Sequence, residues 1–170
     1  METVAAVAIP YFEYRFPCGS STPLSNSESQ AKSLLDPLKE ISHNADVATE
    51  LARRAVARGR ITGSPQAFGS RAHRYFEGLN RRLNARLAKE GSKFRIASEE
   101  FRDADGLVTS RNADNSIGAD TVLRSIDDPN FIQIFDLKTH GGTLRPIPAS
   151  RQTQFIDRFG TSAQEIYRQR

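Results

Sequence analysis

Cysteine occurs once in this 170-residue chain, at Cys18, so no disulfide closes within it and no cysteine-based zinc cluster can form. Reducing surroundings are compatible with this. A thiol mechanism has no support, because no catalytic partner stands near Cys18 in the sequence. Histidine occurs three times, at His43, His73 and His140, without the spacing of a zinc site or of a histidine–metal nuclease. His140, alone in a Gly-rich stretch, reads as a surface residue. No stretch approaches the roughly 18 consecutive apolar residues that span a membrane, so no membrane partner is expected. The early run VAAVAIP is too short for a secretory signal and has no basic segment before it. Internal repeats are absent.

What is present is charge, unevenly placed. The formal net charge is +4 and the sequence pI is about 9.5. Between Arg53 and Arg95 there are twelve Lys and Arg against two Glu. From Ile96 to His140 there are nine Asp and Glu against four Lys and Arg. A basic block beside an acidic one suits a protein that attracts a polyanion with one part and holds cations with another. Two solvated faces of opposite sign would give the same tally.

The pattern of residues divides the chain. Residues 1–30, with aromatics, Pro and the Ser-rich CGSSTPLSNSESQ, read as an extended arm. A short helix over 31–43, broken near Pro37, is expected next. A second helix over 47–60 follows, capped by Asp46. TGSP at 62–65 marks the boundary between an N-terminal extension, 1–65, and a core domain, 66–170. In residues 70–90 the positions Ala72, Tyr75, Phe76, Leu79, Leu83 and Leu87 form one apolar stripe at helical spacing. Ser70 is the expected N-cap and Gly91 the stop. Strands are expected over 93–101, 119–124 and 131–138, with turns at DADG and DDPN. The third strand is apolar on both faces and so reads as central. A final helix starts near Ser150 and continues after Gly160. The order helix-strand-strand-strand-helix predicts an α/β domain, a small mixed sheet flanked by helices, with a mainly helical N-terminal extension.

The chemistry concentrates in GADTVLRSIDDPNFIQIFDLKTH, residues 118–140. At a strand's period of two, Asp136 and Lys138 project from one face, ~7 Å apart. If the DDPN turn pairs the second and third strands, Asp120 lands near Asp136. Two carboxylates converging at a sheet end repel unless a cation lies between them. Mg²⁺ takes oxygen ligands of this kind, and a neighbouring lysine can orient or activate an attacking water. The alternative is a solvated strand-end ion pair worth about 0–1 kcal/mol, which accounts for Asp136 and Lys138 but not for Asp120.

Asp120, fifteen intervening residues and then Asp136-Leu137-Lys138 resemble the PD-(D/E)xK nuclease superfamily motif. The proline usual before the first Asp is Ala119 here. The string IQIFDLKTHGGTLRP is similar to the DLKTG segment of nuclease domains at the C-termini of bacterial polymorphic toxins, including type VI secretion and Rhs-like effectors. The likeness covers roughly residues 68–160; residues 1–65 resemble nothing nameable. It implies a restriction-endonuclease-like core and a Mg²⁺- or Mn²⁺-dependent nuclease, foremost a nonspecific DNase with RNA as a further substrate class. The implied setting is an interbacterial toxin, secreted without a classical signal peptide and acting in the target-cell cytoplasm. An acidic cognate immunity protein is the implied partner.

Asp120 and Asp136 are the expected metal ligands and Lys138 the water-positioning group. Glu100, at the end of the first strand, is preferred over Glu99 as a further catalytic and metal-binding residue. The resemblance also makes Glu77, on the basic helix, a metal candidate; pairing with Arg74 or Arg81 is its other reading. Gln154 is preferred over Gln152 as the polar residue contributed by the last helix. Arg71, Arg74, Arg81, Arg82 and Arg151 are the expected nucleic-acid contacts. A DNA-repair or restriction-type nuclease and a noncatalytic nucleic-acid-binding module are the competing expectations.

Overall fold

The computed structural model describes residues 26–138 and 147–165. Their elements run α1 (Asn26–Ala57), α2 (Pro65–Lys89), β1 (Phe94–Arg102), β2 (Val108–Thr109), β3 (Ile117–Ser125), β4 (Ile132–Asp136), α3 (Ala149–Phe159) and β5 (Ala163–Glu165). Of the arm expected over 1–30, residues 1–25 lie outside the described residues, as do the loop containing His140 and the chain end after 165, whereas 26–30 already belong to α1 and are helical rather than extended.

The N-terminal helices differ from expectation in continuity. One helix replaces the two expected pieces, and it passes through Pro37 without ending. Proline removes one backbone donor from a helix and usually costs ~3 kcal/mol inside it. Here Pro37 is fully buried, so packing works against that cost. The face that buries it continues as Ile41, Ala45, Ala48, Ala52 and Ala55, small residues that let α1 lie close to α2. Asp46 is exposed within the helix and is not a cap. Helix α2 begins earlier than Ser70, with Ser64 as N-cap accepting from the Ala67 N–H (3.2 Å) and Pro65 in the first turn. Its stripe buries Ala72, Phe76, Leu83 and Leu87 as the spacing required.

The sheet order is β2-β1-β3-β4-β5, so β3 is its middle strand and β4 lies between β3 and β5. All pairings are antiparallel except β4 with β5, which is parallel. Ala163–Glu165, expected to continue the last helix, is strand β5 instead. Gly160 takes a left-handed conformation (φ 74°) and ends α3. Gln152 then fixes the returning chain through both ends of its amide: Nε2 donates to the Ala163 carbonyl (3.0 Å) and Oε1 accepts from the Ala163 N–H (2.9 Å).

Helices α1 and α2 cover one face, where Phe94, Ile96, Leu123, Phe135 and Leu137 join their core. Helix α3 covers the other, with Phe155 and Phe159 against Ile117, Ala119, Val122 and Ile134. The alternation on β3 slips between these sets. Ala119 and Val122, three residues apart, both face α3, so Asp120 and Thr121 both turn toward α2, where Asp120 meets His73 and Thr121 meets Asn80.

Gly118 lies opposite Phe101, and a Cβ on it would stand 2.4 Å from the Phe101 ring. We expect Gly118→Ala to lower stability by about 1–3 kcal/mol, the usual range for overpacking. In a Phe101→Ala background the same change should cost almost nothing. Urea midpoints of the four chains measure this. Equal losses in both backgrounds would mean that the ring is not the obstacle.

Candidate functional site

The β3–β4 register pairs Thr121 with Phe135, and the next position along the hairpin sets Asp120 opposite Asp136. The DDPN turn thus does what its sequence suggested. Asp136 ends β4 and is 5% exposed, a level carboxylates seldom reach without compensation. Asp120 is held from two sides. His73 Nδ1–H donates to its Oδ1 (3.0 Å) and the Leu137 backbone N–H donates to its Oδ2 (2.7 Å). Lys138 Nζ lies 2.5 Å from Asp136 Oδ2. That oxygen nonetheless lacks a well-directed hydrogen bond and is buried. The Lys138 ammonium is thus the partner of that buried oxygen, through ion-pair contact.

Electrostatics separates the two acids. Burial raises the Asp136 carboxyl, the neighbouring Asp120 charge raises it further, and Lys138 only partly offsets them, so it is pushed up to about 6. Burial also acts to raise Asp120, but the His73 hydrogen bond and charge, with the Leu137 N–H, outweigh it and hold Asp120 below the usual carboxylate range. His73 shifts the other way: burial lowers it, but the Asp120 hydrogen bond and charge and the Asp136 charge raise it on balance. A cation at this sheet end would relieve the repulsion that now raises Asp136.

His73 is the residue that spacing in the sequence missed. Its signal was placement on the apolar stripe side of α2, seven residues before Asn80, rather than any metal-ligand pattern. Asn80, fully buried, donates to Thr121 Oγ1 (2.9 Å) and accepts from Asn44 Nδ2 (2.8 Å). A polar chain therefore ties α1 and α2 to β3 beside Asp120.

The other expected residues are dispersed. Glu100 turns away from the acids: its Oε1 accepts from Arg124 Nη2 (2.5 Å) and Arg102 Nε (3.0 Å). Arg102 in turn stacks on Phe159 and donates to the Arg158 carbonyl, so this network belongs to the α3 side. Burial would raise Glu100, but the two guanidinium groups hold it below the usual range. Glu77 pairs with Arg81 one turn along α2 (2.5 Å). Gln154 is exposed on α3. Arg71 lies over Tyr75, while Arg74 and Arg82 are exposed on α2. Arg151 is used structurally, donating to the Gly118 carbonyl (3.0 Å) and stacking on Phe155.

Among the described residues no three His, Cys, Asp or Glu side chains gather as a metal cage. That pattern does not suit zinc, which wants four protein ligands in structural sites and three in catalytic ones. Mg²⁺ can bind through only one or two carboxylates and completes its shell with water and substrate phosphate. Asp120 and Asp136, opposite each other on β3 and β4, are two carboxylates that could serve such an ion. Among the described residues no helix is long and apolar enough to cross a membrane. No family model, curated protein or solved structure matches the chain.

Proposed function

We propose that the chain is a Mg²⁺- or Mn²⁺-dependent nuclease on a restriction-endonuclease-like core, cleaving DNA without sequence preference. The observation that carries this reading is the buried contact of Asp120 and Asp136 at a sheet end, with Lys138 Nζ 2.5 Å from Asp136. Asp120 and Asp136 would hold the ion, and His73 orients Asp120 through its Oδ1. When bound, the ion supplies Lewis acidity to a phosphate oxygen. Lys138 is partly exposed, so its ammonium faces both Asp136 and solvent. From there it orients an attacking water and donates to the charge that develops on the phosphate. Arg74 and Arg82 attract the phosphodiester backbone from the exposed side of α2.

The DLKT segment that resembles polymorphic-toxin nucleases supports the biological half of the proposal. The chain would act as the toxic domain of an interbacterial effector in the target-cell cytoplasm, with an acidic immunity protein covering its basic face. Purified chain should degrade plasmid DNA in Mg²⁺ or Mn²⁺, stop in EDTA and resume when the ion is restored. Undiminished cleavage in chelator would overturn the metal mechanism. Retardation of intact plasmid under all conditions would favour a binding module.

A further inference from the structure

Helix α1 belongs by sequence to an N-terminal extension, yet its end lies on the same side of the fold as Asp120. Asn44 of α1 meets Asn80 of α2, and a Cβ on Gly63, in the loop that leads into α2, would touch Val56 (3.7 Å). The two helices therefore run antiparallel, and the end of α1 lies beside the start of α2. His73, which meets Asp120, stands about 10 Å along α2 from Asn80, whereas Ala57 stands about 20 Å along α1 from Asn44. The end of α1 and the first turns of α2 thus reach about 10 Å past the level at which α2 meets Asp120. A left-handed Gly59 (φ 65°) closes α1 there. The Gly59 N–H donates to the Val56 carbonyl and the Arg60 N–H to the Ala55 carbonyl (both 2.9 Å), which fixes Arg58 and Arg60 just beyond the helix.

That corner carries charge of one sign. From Arg53 to Phe76 there are six arginines, Arg53, Arg54, Arg58, Arg60, Arg71 and Arg74, and no Asp, Glu or Lys. Glu50 serves both Arg53 and Arg54 (3.1 and 3.0 Å), one carboxylate for two guanidinium groups. Arg58, Arg60 and Arg74 are exposed and, among the described residues, take part in no ion pair. The exposed carbonyls at the end of α1 account for cations there, but not for Arg71 and Arg74 across the gap, on a helix whose first turn has no acid. Cations gathered this way repel one another, and a polyanion relieves the repulsion. We infer that this corner is a wall for the phosphate backbone of the nucleic acid, with Arg58 and Arg60 of α1 holding phosphates that flank the one at Asp136 and Lys138; the inference rests on the reading of the chain as a nuclease. Arginine is suited to the task, since its planar fork meets a phosphate with two parallel N–H donors. A DNA strand rises about 3.4 Å per phosphate, so the overhang matches about three phosphates beyond the cleaved bond. The N-terminal extension is thus part of the substrate surface.

Anisotropy of a short labelled DNA duplex, titrated with the full chain in EDTA at a series of salt concentrations, tests this. Arg58→Gln combined with Arg60→Gln should weaken binding at least about tenfold and flatten the dependence of log affinity on log salt by about two, since each lost phosphate contact removes about 0.9 from that slope. Lys89→Gln combined with Lys93→Gln removes the same formal charge at the other end of α2, where Lys93 pairs with Asp127 beside the DDPN turn. That change should alter affinity by less than about twofold. All four side chains are exposed, so both double variants should unfold at the temperature of wild type. Equal losses in the two double variants would overturn the wall and leave only net charge. Wild-type affinity in the arginine variant, with plasmid still degraded by wild type, would overturn the wall and leave the nuclease standing. Wild type that binds through these arginines yet leaves plasmid whole in Mg²⁺ and Mn²⁺ would remove the nuclease and keep the wall as the surface of a binding module. Wild type without affinity for the duplex would overturn the inference outright.

Discussion

Lys138→Ala should lower DNA cleavage by about 10²–10⁴-fold, the usual worth of a positioned proton-transfer or donor group. Mn²⁺ affinity should stay within a few-fold of wild type or rise. The Lys138 ammonium sits 2.5 Å from Asp136 Oδ2, the oxygen a cation would use. Removing it takes away a competitor for that carboxylate along with the donor near the reacting phosphate. Asp136→Asn should lose cleavage and Mn²⁺ binding together, because an amide cannot supply the anionic ligand. Equal losses of metal binding in the two variants would contradict this division of roles. Expressed in a bacterial cytoplasm, wild type should stop growth and fragment the chromosome, and Lys138→Ala should do neither. Coating of DNA by a basic module would respond differently. The mutation removes one of 24 Lys and Arg side chains, too little to abolish electrostatic binding. Toxicity of the mutant equal to wild type, with chromosomes intact in both, would favour the binding module.

The sequence made the hairpin that joins Asp120 to Asp136 legible because its determinants are local: a DDPN turn between two apolar runs. The stripe on α2 was legible for the same reason. What escaped reading depends on contacts distant along the chain. His73 reaches Asp120 across 47 positions, and no spacing rule links them. Glu99 and Glu100 are adjacent and chemically alike. Strict alternation along β1 would place Glu100 with Phe94 and Ile96, but past the left-handed Glu99 it pairs with Ala119 on the α3 side, where two arginines hold it. Strand β5 was misread as helix because AQE has no strong strand pattern; Gln152 and the parallel edge of β4 hold it in the sheet. Pro37 was read as a break because helix propensity outweighs other signals in sequence, whereas burial decides its place in the fold.

Asp136→Asn should also make the protein more stable at neutral pH, although it disables the site. Burial, followed by the Asp120 charge, pushes the Asp136 carboxyl from 3.8 up to about 6 in the folded chain. The folded state therefore holds this proton more tightly than the unfolded state does. Its stabilising effect is complete below about 4 and is lost as pH rises through about 6. Above that, the ionised side chain costs the fold on the order of 3 kcal/mol, with the offset from Lys138 already included. Asparagine cannot ionise, so the variant avoids this cost. Urea midpoints should favour Asp136→Asn at pH 8, with the advantage shrinking as pH falls toward 4. Addition of Mg²⁺ should reverse the order at pH 8, since a ligand that binds the folded wild type stabilises it and the variant no longer binds. A variant less stable than wild type by the same margin at both pH values would mean that Asp136 is held by neutral packing contacts rather than confined against its own charge. If instead the expected crossing appears, the instability of the metal-free carboxylate pair and its use as a cation site have one cause: two acids buried together with too little positive charge between them.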